Sequence, residues 1–131
     1  MIVSGQEVIE WMEAMLNERF HGESIGLGLK CGGRFVAGVA YHGRQYHNVN
    51  ASIVAQPGSL TRPFIRAIHD YPFNELEVNR ISVCVRLRNQ ASAQLAERLG
   101  FKYEGCQRAG YPDGEDKLMF GMLREECKWI S

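Results

Sequence analysis

No two of the four cysteines sit close together. Cys31, Cys84, Cys106 and Cys127 are spread along 131 residues without a CxxC pair. That spacing excludes the common zinc-binding arrangements and predicts no metal site. It fits four free thiols in a reducing, cytoplasmic setting. Net charge is missing too, since 15 Lys and Arg balance 15 Asp and Glu. A chain with no positive excess is not expected to hold nucleic acid through bulk phosphate attraction. No apolar run approaches the roughly 18 residues that a membrane span needs. The opening residues Ser4, Gln6, Glu7 and Glu10 offer neither the basic segment nor the long apolar stretch of a secretory signal. There is no repeat, low-complexity tract or linker, so residues 1–131 read as a single domain, long enough to bury a core.

What is present is regular patterning. Ser4-Gly5-Gln6-Glu7 has the form of a capping box. Val8, Ile9, Met12, Met15 and Leu16 follow at helical spacing, which predicts a helix over about 5–18. Three strands are expected next, at Ile25 to Cys31, Phe35 to Tyr41 and Tyr46 to Ala55. Gly32-Gly33 supplies the first hairpin turn, and His42-Gly43-Arg44 the second. Gln56-Pro57-Gly58-Ser59 breaks the pattern, and a helix begins near Leu60 with Phe64, Ile65, Ile68 and Tyr71 on one face. Pro63 suits its first turn and Pro72 its end or a kink. Arg80 to Arg86 reads as a strand. Asn89 or Ser92 starts a helix bearing Ala91, Leu95 and Leu99, closed by Gly100. Phe101 to Cys106 and Lys117 to Arg124 are the last strands, joined through the turn-rich Gly110-Tyr111-Pro112-Asp113-Gly114. The expected class is α/β (α+β), with a mixed, mostly antiparallel central sheet and flanking helices, in the order α-β-β-β-α-β-α-β-β.

Four short blocks carry a resemblance. Asn89-Gln90-Ala91-Ser92 precedes Leu95-Ala96-Glu97-Arg98-Leu99-Gly100-Phe101, then Glu104-Gly105 and Arg108. This N-x-x-S…E-x-L-G-F-x-x-E-G…R pattern resembles the C-terminal motif of the GNAT N-acetyltransferases, in the form carried by the RimJ/RimL-type branch. The tail is similar to that branch as well, through Gly114, Asp116, Met122-Leu123, Glu126 and Trp129. Tyr71 to Leu76, with Val78 and Arg80-Ile81, is similar to the segment before the family's fourth common strand, compact phage-encoded members included. The resemblance is specific from about Tyr71 to Trp129. Upstream it rests on element order.

The resemblance implies acetyl transfer from acetyl-CoA to a primary amine by direct attack. The acceptor would be a protein N-terminus, lysine, polyamine or small amine. It implies no metal, no membrane and a cytoplasmic enzyme, and it is compatible with a homodimer. Pantetheine would pair with backbone amides at Ile53 and Val54, and the pyrophosphate would meet a helix N-terminus over Ser59, Leu60, Thr61 and Arg62. Asn89 would contact the cofactor arm. That phosphate loop lacks the family's usual R/Q-x-x-G-x-G/A, with Gly58 its one glycine. Many members carry a Tyr acid on the helix where this chain has Ala96, so Ser92 becomes the expected proton donor, with Tyr103 and Tyr111 as alternatives. The third strand has no carboxylate, which leaves His47 as the expected base, ahead of His42 in its turn. Water alone, or Glu10 or Glu13 from the first helix, are the other candidates for that role. The competing reading is a catalytically degenerate GNAT fold that binds a protein partner.

Overall fold

The computed structural model describes residues 1–130. A strand precedes the first helix: β1 spans Ile2–Ser4, and α1 spans Gln6–Leu16. The expected order began with the helix, so β1 is a correction. Ile2 and Val3 are too short a run to show period, and they become a strand only by pairing with a distant segment. That segment is β2, Ser24–Cys31, with Ile2 opposite Leu29 and Ser4 opposite Leu27. The capping box is not made either. Gly5 caps α1 with no side-chain hydrogen bond, because Ser4 is held in the β1 ladder.

Three antiparallel strands follow as expected. β2 turns at Gly32-Gly33, both at positive φ, into β3, Arg34–His42. β3 pairs with β4, Asn48–Ala55. α2, Arg62–Asp70, then leads through one wide helical turn, Tyr71–Glu75, to β5, Arg80–Arg86. α3 spans Gln90–Leu99, and β6, Lys102–Gln107, forms a hairpin with β7, Lys117–Leu123. The seven strands lie in the order β1-β2-β3-β4-β5-β7-β6. Among the described residues, only β4 and β5 pair in parallel.

Pro72 does not end the helical path. It lacks the N–H that would reach the Ile68 carbonyl. The Tyr41 hydroxyl donates to that carbonyl instead, and the path widens, with Leu76 N–H donating to the Tyr71 carbonyl at 3.0 Å. A missing backbone donor is thus replaced by a side chain from the sheet.

The two sheet faces are covered differently. α2 and α3 pack Phe64, Ile68, Ala93, Ala96 and Leu99 onto Val49, Ala51, Ile81, Val83 and Val85. Each of the larger buried side chains among these contributes about 1.5–3 kcal/mol. α1 packs Val8, Ile9 and Met12 onto Ala40 on the opposite face, flanked by Val54 and Phe35. Alternation along β4 therefore sends Val49, Ala51 and Ile53 toward α2 and α3, and Val54 toward α1. No helix among the described residues is long and apolar enough to cross a membrane.

Candidate active site

β4 and β5 stay paired only from Asn48 opposite Arg80 to Ala51 opposite Val83. β4 runs on to Ala55 and β5 to Arg86 without each other. A cleft of about 530 Å³ opens at this divergence, within the size range of small-molecule sites. Ser52, Ile53, Cys84 and Arg86 line it from the strands, Asn89, Ser92 and Leu95 from α3, and Tyr111 and Lys117 from the β6–β7 side. The end of α1 and the connection after it close the remaining side through Leu16, Glu18, Arg19 and Phe20.

The free edge of β4 follows from its pairing with β3. Gln56 N–H donates to the Val36 carbonyl at 2.9 Å, directly across the ladder. Hydrogen-bonded pairs alternate along an antiparallel ladder. Val54 opposite Gly38 and Ser52 opposite Ala40 therefore spend their amides on β3, and Ile53 and Ala55 turn theirs toward the gap. Ile53, expected to offer a free amide, lines the cleft. Val54 does not: its amide faces β3 and its side chain packs under α1.

α3 opens onto the cleft. The Asn89 side chain accepts from Ser92 N–H at 3.2 Å, so Asn89 caps the helix while lining the cleft. Ser92 is half-buried beside it. Ala96, one turn further along α3, is buried.

The α2 terminus lies outside the cleft lining. The Thr61 hydroxyl accepts from Phe64 N–H at 3.3 Å, and Pro63 has no N–H, so Arg62 holds the one uncommitted amide of the first helical turn. Arg62 is exposed, and Leu60 packs against the core. The Ser59 hydroxyl is buried with no hydrogen-bond partner among the described residues. A buried polar atom left unpaired is costly, and a ligand oxygen at this loop would relieve that cost. The loop residues therefore fit a phosphate-bearing group.

His47 is misplaced as a base. It is exposed at the start of β4, where its carbonyl accepts from the Asn79 and Arg80 amides. It precedes the paired segment, whereas the cleft opens after it. At about 3.3 Å per residue, the four positions from His47 to Ala51 separate it from the divergence by the better part of the strand. His42 lines the cleft instead. Its ring stacks on Phe20 at 5.1 Å and its Nε2 is 3.1 Å from Ser52 Oγ. Burial pulls its pKa below the ordinary histidine value, and the nearby Glu18 charge opposes that shift.

The other titratable walls favour protonated forms. Burial, with Cys84 and Glu18 adding, pushes the Tyr111 hydroxyl up to about 12. Burial also raises the Cys84 thiol. Arg86 lies over the Tyr111 ring at 4.1 Å and bonds Glu18, Asp113 and Glu115. Tyr103 is exposed and packs edge-on against Phe120, away from the cleft. Glu13 accepts from Phe20 N–H at 2.9 Å. The described residues contain no His, Cys, Asp and Glu cluster suited to a metal.

No family model matches the chain. A 64-residue stretch, 47% of this chain, is 38% identical to YdaF of Bacillus subtilis (strain 168), named as a ribosomal N-acetyltransferase. The matched stretch spans about a third of that relative's length, 35%. Among solved structures, mutant forms of the spermidine/spermine N-acetyltransferase SpeG of Vibrio cholerae superpose with a TM-score of 0.73. That match covers 95% of each chain at 14% identity. A second structure, named as an acetyltransferase, gives a TM-score of 0.68 at 24% identity, covering 89% of this chain and 69% of the other. With its mixed seven-stranded sheet and the parting of β4 from β5, the chain has the fold of these acetyltransferase structures.

Proposed function

We propose that this protein is an acetyl-CoA-dependent N-acetyltransferase that acts on a primary amine. One observation carries the reading: two parallel strands part at Ala51 and Val83 and open a cleft onto a helix N-terminus. The pantetheine arm would pair with the free β4 edge at Ile53 and Ala55, in place of Val54. Asn89 and Ser92 would meet the arm at the start of α3, and Ser59 and Arg62 would meet the phosphates. Holding both substrates in one cleft supplies much of the rate. Tyr111 and Ser92 are the candidate proton donors for the departing thiolate. Tyr111 keeps its proton far above neutral pH, so it would serve as a hydrogen-bond donor to the sulfur as negative charge builds there.

The cleft charges narrow the acceptor. Glu18 is the only carboxylate in the lining among the described residues, and Arg86 already holds it at 3.2 Å. Arg19 and Lys117 also line the cleft, and neither makes an ion pair among the described residues. Free cations repel a polycation. The preferred acceptor is therefore an amine on a neutral or acidic body, such as a protein N-terminus, rather than a polyamine. Calorimetry with acetyl-CoA, followed by thiol release with peptide α-amines, lysine, spermidine and small amines, tests both points. Cofactor binding and a kcat/KM for peptide amines at least about tenfold above spermidine are expected, a gap worth about 1.4 kcal/mol. No binding at millimolar acetyl-CoA would return the chain to the binding-module reading, and spermidine as best acceptor would overturn the charge argument.

A further inference from the structure

A protonated amine must lose a proton before it attacks a thioester, and the cleft offers few places for that proton. Tyr111 and Cys84 are held protonated, so they donate rather than accept. The Glu18 carboxylate is bonded to Arg86. His21 is exposed and makes no hydrogen bond among the described residues. His42 differs from all of these. Its ring is fixed on one side by Phe20, whose amide is anchored on Glu13, and it meets Ser52 Oγ at 3.1 Å. Ser52 is the first β4 residue beyond the paired segment, so its hydroxyl lies where the strands part.

We propose that Ser52 and His42 form the route by which the acceptor amine is deprotonated, an inference that rests on the acetyltransferase reading above. The ammonium nitrogen gives one proton to Ser52 Oγ as Ser52 gives its own to His42 Nε2. The neutral nitrogen then forms the C–N bond to the acetyl carbon. The C–S bond breaks with its electron pair on sulfur. The second nitrogen proton ends on that sulfur through a cleft donor, and His42 releases the first to solvent. The balance is one amide, one thiol and one proton. His42 is suited to accept because burial keeps it neutral near pH 7. The charged groups facing it are Glu18, Arg19 and His21 from the connection after α1, and Arg86 from β5, which is tied to Glu18. β2 faces it with the uncharged Ser24, and β4 with Asn50 and Ser52. Glu18 stabilises the imidazolium that forms.

The test uses the whole chain. His42→Gln should lower kcat/KM about 10²- to 10⁴-fold at pH 7 and leave acetyl-CoA affinity within twofold. The loss should shrink as pH rises past the acceptor's own pKa, where the amine is already neutral. Ser52→Ala should lose less and follow the same pH trend, and Ser52→Thr, which keeps the hydroxyl, should retain most activity. NMR titration should place His42 below the ordinary histidine value of about 6.5, and Ser52→Ala should move it. An H42Q pH profile parallel to the parent's, or a loss under threefold, would overturn the proposal. If the parent protein binds no acetyl-CoA, the acetyltransferase reading fails first and takes this one with it. If it binds and turns over but His42 is silent, only the proton route is lost.

Discussion

Asn89 shows two demands meeting on one side chain. Its amide oxygen caps α3, and its position lines the cleft. Asn89→Ala should cost about 1 kcal/mol of stability from the lost cap. It should also weaken acetyl-CoA binding, by about tenfold, if the side chain meets the cofactor arm. Asn89→Asp keeps the capping oxygen and separates the effects: stability stays near the parent's while affinity falls. Unchanged affinity in both variants, read by calorimetry, would leave Asn89 a cap and nothing more. A second residue, His69, sets a pH limit. It is 1% exposed, lies between Phe101 and Trp129, and its Nδ1 is 2.7 Å from the Ile65 carbonyl. Burial lowers its folded pKa. Below the ordinary histidine value of about 6.5 the unfolded chain therefore binds more protons than the folded one, and stability falls as pH falls. His42 adds in the same direction. Urea midpoints should be level above about pH 7 and decline toward pH 5.5, and His69→Gln should flatten that decline.

At the scale of elements, α1 depends on glycines beneath it. A Cβ built at Gly26 would lie 2.8 Å from Val8 Cβ, an atom fixed to the helix backbone that cannot swing aside. Gly26→Ala must push α1 off the sheet or bend β2, and should cost about 1–3 kcal/mol, seen as a lower urea midpoint at constant slope. This contact also shows what the sequence could convey. The stripe of Val8, Ile9 and Met12 announced a helix with a buried face, but nothing local named the strand it lies on. The run Arg80 to Arg86 matched its strand at both ends, and Asn89 and Gly100 bounded α3, because alternation, caps and positive φ are local physics. β1 stayed hidden, because Ile2 and Val3 form a strand only through residues 25 positions away or more. The same distinction governs the site. Ile53, Asn89 and Ser92 line the cleft, and their placement follows from element order and caps, which the sequence carries locally. The sequence ranks His47 ahead of His42, whereas His42 is the one that lines the cleft, because the cleft's position depends on where β4 and β5 stop pairing. That register joins residues 32 positions apart, and no short window of sequence contains it.

Across the whole molecule, one guanidinium ties three distant segments together. Arg86 leaves the sheet at the end of β5, bonds Glu18 in the connection after α1, and bonds Asp113 and Glu115 in the β6–β7 loop while covering Tyr111. Glu115 in turn accepts from the Arg88 amide at 2.9 Å, and Asp113 from the Glu115 amide at 3.0 Å. The side chain of Arg86 is 28% exposed, so part of this network is shielded from the screening that makes surface pairs weak. The two segments it joins form opposite walls of the cleft. Substitution Arg86→Met keeps the length of the stem and removes the fork, so both walls lose their common anchor, while the β4–β5 divergence and the α3 cap are untouched. Amides of residues 18–21 and 111–115 should exchange faster, by about tenfold for each 1.4 kcal/mol of anchoring lost, and those of β5 and α3 should hold their protection. The acceptor KM should rise, since the wall carrying Glu18 and Arg19 loses one of its anchors, and acetyl-CoA affinity should stay within twofold. Arg86→Lys keeps the charge without the planar fork, and should fall between parent and Arg86→Met in both measurements. Equal exchange rates in the parent and Arg86→Lys would mean that charge alone holds the walls. Faster exchange throughout the sheet would mean that Arg86 supports the fold as a whole rather than the mouth of the cleft.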